Sequence, residues 1–138
     1  RDFCLSRGLG DVYKRQLYRH ESYLCDLFCQ AMQELPEVRV YREAGVSYVP
    51  IVSFTVADEP PEKLAAWLSQ EGFCLRAGLH CAPLAHEKLG TANGTLRFAP
   101  SAFSRESDTL RLAASVKNYV KNLKNGGNLL KKTSDMLK

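Results

Sequence analysis

No stretch of this chain approaches the roughly 20 consecutive apolar residues that a membrane-spanning helix requires. The N-terminus lacks the basic, apolar, small-residue order of a secretory leader. The five cysteines, Cys4, Cys25, Cys29, Cys74 and Cys81, are odd in number and irregularly spaced. A disulfide framework needs pairs at regular intervals, so these thiols are expected to be reduced and the chain cytoplasmic. No C-x-x-C pair is present, which argues against the usual zinc modules. Aromatic residues do not interleave with the basic ones, so neither nucleic acid nor a membrane is expected as a partner. No internal repeat is visible.

What is present fits one ordinary domain. The chain has 138 residues, 45% hydrophobic and 25% charged. That size suffices to bury roughly two-thirds of the surface the unfolded chain exposes. The net charge is +4. Part of the excess lies at the C-terminal end, where Lys117, Lys121, Lys124, Lys131, Lys132 and Lys138 face one acid, Asp135. Residues 124–138 read as a solvated basic tail.

Residues 1–16 show no sustained period and resemble translated read-through at the end of a gene fragment, so they are set outside the fold. From Leu17 the pattern changes. Leu17, Leu24, Leu27, Phe28, Ala31, Met32 and Leu35 recur at three- and four-residue steps, predicting an amphipathic helix that ends before Pro36. Cys25 and Cys29 on it read as small apolar fillers. Val38, Val40 and Tyr41 predict a short strand, and Tyr48–Val56 a β-branched central one. Asp58 is a candidate cap for a helix through Leu64, Trp67 and Leu68 that Gly72 stops. Phe73, Leu75 and Ala77 alternate as a strand. Gly78–Gly94 reads as a long irregular loop, a length that is uncommon in compact domains and often functional. Thr95–Ala99 predicts another strand. A last helix starts at Ser104 or Ser107, runs to Leu123 and ends at Asn125–Asn128. This order predicts an α/β fold: a two-layer α+β sandwich with a small mixed or mostly antiparallel sheet and helices on one side.

The chemistry concentrates in the loop. Cys81 lies beside His80, just after a strand, with Gly78 where the chain leaves it and Arg76 close by. Positive charge near a thiol raises its thiolate fraction. Arg97, on the following strand, presents a planar fork suited to a carboxylate. Taken singly, a cysteine is more often inert filler and a strand arginine more often part of an ion pair.

Together, the segment RAGLHCAPLAHEKLGTANGTLRFAPSAFS, with its R-x-G-x-H-C-A run followed by G-T-x-R, resembles the C-terminal small domain of cysteine desulfurases. These belong to the class-V aminotransferase superfamily of fold-type-I enzymes, which use pyridoxal 5′-phosphate (PLP). The helix opening at Arg19-His20-Glu21 and the strand Pro50–Phe54 are also similar, and the likeness spans residues 17–123. It implies that Cys81 is the nucleophile, which takes sulfur from L-cysteine as a persulfide while L-alanine leaves. It implies that Arg97 holds the substrate carboxylate, with Arg76 and His80 flanking the same substrate site. It further implies a homodimer and a sulfur-acceptor protein serving iron–sulfur cluster assembly. The family's Asn-Thr opening of the last helix is replaced by Ser104-Arg105. Nothing in the chain matches the family's PLP lysine, or its aspartate and histidine at the cofactor ring. PLP is therefore expected on a large domain upstream, with no turnover from this chain alone.

Three other readings stay open on the residues. One is a selenocysteine lyase or another class-V relative. The second is a metal module built from Cys74, His80, Cys81 and His86. The third is a stand-alone sulfur carrier. His86 is expected to pack within the loop, His20 to contact a domain junction, and Trp67 to pack in the core. The first helix is the expected apolar docking face for the absent domain.

Overall fold

The computed structural model describes residues 3–43 and 45–135, with side chains described between residues 10 and 125. Cys4, Ala44 and the tail lysines from Lys131 onward lie outside the described side chains.

The chain runs α1 (Phe3–Met32), β1 (Val38–Val40), β2 (Val52–Val56), α2 (Pro61–Gln70), β3 (Arg76–Gly78), α3 (Pro83–Leu89), β4 (Thr95–Phe98) and α4 (Glu106–Asp135). The four strands form one sheet in the order β1-β2-β4-β3, and every pairing is antiparallel. This is the expected α/β sandwich. Side chains alternate across a sheet. Val52, Phe54 and Val56 of β2, with Leu96 and Phe98 of β4, are buried on one face. The three longer helices cover that face, contributing Leu24, Phe28 and Met32 from α1, Leu64 and Leu68 from α2, and Leu112, Val116 and Val120 from α4. Phe28 is central: its ring centroid lies 5.1 Å from Phe54 and 4.9 Å from Phe98. Cys25 is fully buried, the filler expected of it. Trp67 packs edge-on against Tyr119 with centroids 5.7 Å apart.

Several boundaries differ from the sequence reading. Helix α1 starts at Phe3 rather than Leu17. Residues 10–16 are all exposed, so this half of the helix buries no stripe and shows no period to detect. The apolar stripe from Leu24 to Met32 is covered by this chain's own sheet and α4, so it is not an open docking face. Strand β2 is shorter than Tyr48–Val56 because the carbonyls of Val49 and Ile51 accept hydrogen bonds from the Arg42 guanidinium (3.1 and 2.9 Å). β3 starts at Arg76, not Phe73. The Phe73 amide instead donates to Leu68 O (2.8 Å) and that of Gly72 to Ser69 O (3.1 Å), closing α2 in a Schellman motif.

Asp58 does not cap α2, whose first turn starts with Pro60-Pro61 and has no side-chain cap. Neither Ser104 nor Ser107 caps α4. The Asp108 carboxylate reaches back to the Arg105 amide (3.3 Å) at its start. The helix also continues through Gly126-Gly127 to Asp135. Glycine weakens a helix interior by roughly 1 kcal/mol but does not forbid it.

Replacing Phe28 by Ala should cost about 3–5 kcal/mol in urea denaturation, because two aromatic neighbours lose their partner. Tyr13→Ala, at a 59% exposed position, should stay within about 0.5 kcal/mol.

Candidate active site

The site is rooted where β3 meets β4. Arg76 pairs with Arg97, Ala77 with Leu96, and Gly78 with Thr95. Gly78 (φ 110°) and Gly94 (φ 85°) approach so closely that a Cβ on Gly94 would overlap the Gly78 carbonyl. Only glycine fits there.

Immediately beyond, the chain reverses over Leu79–Ala82. The Ala82 amide donates to Leu79 O at 2.9 Å. The two central residues, His80 (φ 51°) and Cys81 (φ 62°), are both left-handed. These are the φ signs of a type I′ turn, which glycine, asparagine and aspartate normally fill. Each left-handed residue with a side chain costs roughly 1–2 kcal/mol. The turn leaves Cys81 exposed.

His80 is tied to β4, its Nε2 donating to the Thr95 carbonyl at 3.0 Å. Nδ1 is shielded from solvent and has no partner among the described residues. Burial pushes the His80 pKa below its ordinary 6.5. The bond to Thr95 works the other way, while the charges of Arg97 and Arg76 add to the lowering.

On the sheet face away from the three long helices lies a cavity of about 360 Å³, lined among others by Tyr41, Ser53, His80, His86 and Arg97. Ser53 pairs with Arg97, which pairs with Arg76, so two guanidinium-bearing residues sit side by side across two strands. Like charges placed opposite one another repel. Among the described residues neither arginine forms an ion pair, in contrast to Arg42 with Asp26. A larger cavity of about 540 Å³ lies beside Glu37, Arg39 and Asp58, and its lining includes none of Arg76, His80, Cys81 and Arg97.

Arg97 and His80 thus line one cavity, and Ala82 brings the Cys81 turn to its rim. Arg76 stands next to Arg97 in register but does not line it. His86 packs in the loop as expected, buried, with Nδ1 2.8 Å from Thr91 Oγ1. His20 donates to the Ser104 carbonyl (2.9 Å), a contact within this chain. Among the described residues no group of three His, Cys, Asp or Glu side chains could hold a metal ion. Cys74 lines a separate cavity with Phe73 and Ser104, which leaves the metal-module reading without a site.

The sequence reading missed α3. The stretch Gly78–Gly94 is not all irregular: Pro83 opens a helix at its first turn and Gly90 (φ 68°) ends it. Proline inside the start and glycine past the end were the available signal. α3 stands beside the sheet face that carries Arg97, where Ala85, His86 and Leu89 complete the cavity wall.

The sequence model of aminotransferase class-V matches residues 9–112. The chain belongs to the class-V aminotransferase family. It is 29% identical over 87 residues to a cysteine desulfurase of Haloferax volcanii, covering 63% of this chain and 20% of that protein. It is 25% identical over 121 residues to a probable cysteine desulfurase of Aeropyrum pernix, covering 81% and 28%. The apo structure of cysteine desulfurase from Thermococcus onnurineus superposes with a TM-score of 0.76 at 26% identity, over 84% of this chain and 29% of that one. The chain therefore spans between a fifth and a third of the length of these relatives. No helix among the described residues is long and apolar enough to cross a membrane.

Four outcomes follow from this geometry. Cys81→Gly should stabilise the chain by about 1 kcal/mol, since glycine removes the left-handed penalty. Gly94→Ala should destabilise it by about 1–3 kcal/mol through overpacking. Both are read from denaturant midpoints. Under mildly alkaline conditions iodoacetamide should label exposed Cys81 and Cys74 before Cys25, whose burial pushes its thiol up to about 12. Because the folded His80 ring titrates below 6.5, its contribution to stability should be complete above 6.5 and lost as pH falls through the folded value. The ring protons followed by NMR across that window give the check.

Proposed function

We propose that this chain is the thiol-bearing portion of a PLP-dependent cysteine desulfurase, residues 17–123 forming the working unit and Cys81 accepting sulfur. The overall change is L-cysteine plus the Cys81 thiol to L-alanine plus a Cys81 persulfide. One C–S bond breaks, one S–S bond forms, and a proton replaces sulfur on the substrate β-carbon. The observation that carries this reading is Cys81, exposed on a left-handed turn, at the rim of a cavity holding an arginine with no ion-pair partner among the described residues.

In this reading Arg97 binds the substrate carboxylate with its planar fork, which fixes the reacting sulfur relative to the thiol. Arg76 adds positive charge to the same anion-binding row. His80, whose pKa burial lowers below 6.5, lines the same cavity. The cavity lining contains no lysine and no carboxylate. The lining residues therefore offer neither an amine to link PLP nor an acid for its ring nitrogen, and they do not by themselves fit the cofactor. PLP belongs, on this proposal, to the part of the protein outside this chain, and the chain alone turns over no cysteine. The longer protein is a cytoplasmic homodimer that passes its sulfur to an acceptor protein for iron–sulfur cluster assembly.

The test is a chimera in which this chain replaces the matching segment of the Thermococcus onnurineus enzyme. PLP absorbance first confirms that the cofactor is bound. L-Alanine release from L-cysteine is then expected. Cys81→Ser should abolish persulfide formation, and Arg97→Lys should raise KM about tenfold or more for loss of a bidentate clamp. A loaded chimera that releases alanine equally well with Cys81→Ser contradicts the reading. Activity confined to L-selenocysteine would replace it with a selenocysteine lyase.

A further inference from the structure

The turn that carries Cys81 needs an external support. A type I′ turn requires left-handed backbone at both central positions, and here neither is Gly, Asn or Asp. Such conformations persist only where the surroundings over-determine them. One backbone hydrogen bond, from Ala82 to Leu79, closes the turn. The one side-chain tie from its two central residues to the sheet, among the described residues, is His80 Nε2 to the Thr95 carbonyl.

Thr95 is itself fixed. Its backbone is in the β4 ladder opposite Gly78, and it follows Gly94, whose amide donates to Thr91 O at 2.8 Å. A carbonyl oxygen only accepts, so the ring proton is on Nε2. Nδ1 then carries the lone pair and is enclosed without a partner.

We propose that His80 is a positioning residue: through Nε2–H donated to the Thr95 carbonyl, it holds the Leu79–Ala82 turn left-handed and so fixes where Cys81 is presented. The adjacency of histidine and cysteine invites a different assignment, an imidazole acting directly on the thiol. The geometry speaks against that assignment, because Nδ1, the ring atom that would take the thiol proton, is enclosed with no partner among the described residues, Cys81 included. This inference rests on the desulfurase reading only for the word positioning. Its test uses this chain alone and no turnover, so its failure is separable from failure of that reading.

Two substitutions keep the volume near that of the imidazole and differ in the donor. His80→Gln retains an N–H at comparable reach, and His80→Leu removes it. Hydrogen exchange of the Ala82 amide reports turn closure, and the pH midpoint of Cys81 alkylation by iodoacetamide reports any direct action on the thiol. His80→Leu should lower Ala82 protection about tenfold relative to wild type, about the worth of one hydrogen bond. His80→Gln should stay within about threefold of wild type, a small part of that hydrogen bond's worth. Core amides such as those of Val52 and Phe54 should be unchanged in both, and the Cys81 midpoint should stay in place. Equal protection in wild type and His80→Leu overturns the proposal, as does equal loss in both variants. A Cys81 midpoint displaced in both variants also overturns it, assigning His80 to the thiol instead.

Discussion

The contact on which the site depends is the backbone approach of Gly94 to Gly78. It joins the last residue of β3 to the residue before β4 at a separation no side chain could allow. Because it lies at the end of the ladder, everything beyond it is placed by it. The chain must turn at once, which puts Cys81 at the tip of a tight reversal rather than on a long loop. The same ladder sets Arg97 between Ser53 and Arg76. The turn that bears the thiol and the strand that bears Arg97 are thereby brought to one cavity, which Ala82 and Arg97 both line.

Stability and chemistry pull against one another at this spot. The other face of the sheet is built around Phe28, Phe54 and Phe98 and loses nothing to function. The site face has two consecutive left-handed residues, two arginines opposite each other, and a shielded histidine nitrogen without a partner. Each of these features is unfavourable taken singly, and they gather around the β3–β4 pairing. Large apolar groups are exposed in the same region: Val49 is 64% and Leu84 79% exposed. Unfavourable local geometry concentrated around a reactive group is how folds commonly hold a site ready.

The helices and the central strands were legible because burial imposes a period. Leu24, Phe28 and Met32 recur at helical steps, and Val52, Phe54 and Val56 at strand steps, since each faces one core. Residues 10–16 continue the same helix into solvent and so carry no period. The shortening of β2 was invisible because a distant guanidinium, Arg42, takes the carbonyls that a strand would have used. At the candidate site, Cys81, His80, Arg76 and Arg97 could be named because their segment resembles the family's motif. The pairing of Arg76 with Arg97 could not, because register is a property of two strands together. Nor could the left-handed turn, since His and Cys are not turn-forming residues and a tertiary contact enforces the conformation. Helix α3 was readable in hindsight from Pro83 and Gly90, but its seven residues are too few to show a period.

The central claim is that Cys81, and none of the other cysteines, receives the sulfur. The most direct measurement is peptide mass mapping of the PLP-loaded chimera after a single exposure to L-cysteine, with free thiols blocked before digestion. The account predicts the mass of one added sulfur atom on the peptide bearing Cys81, and unmodified Cys4, Cys25, Cys29 and Cys74. Sulfur on Cys74 with none on Cys81, or alanine released with no protein persulfide at all, would contradict it.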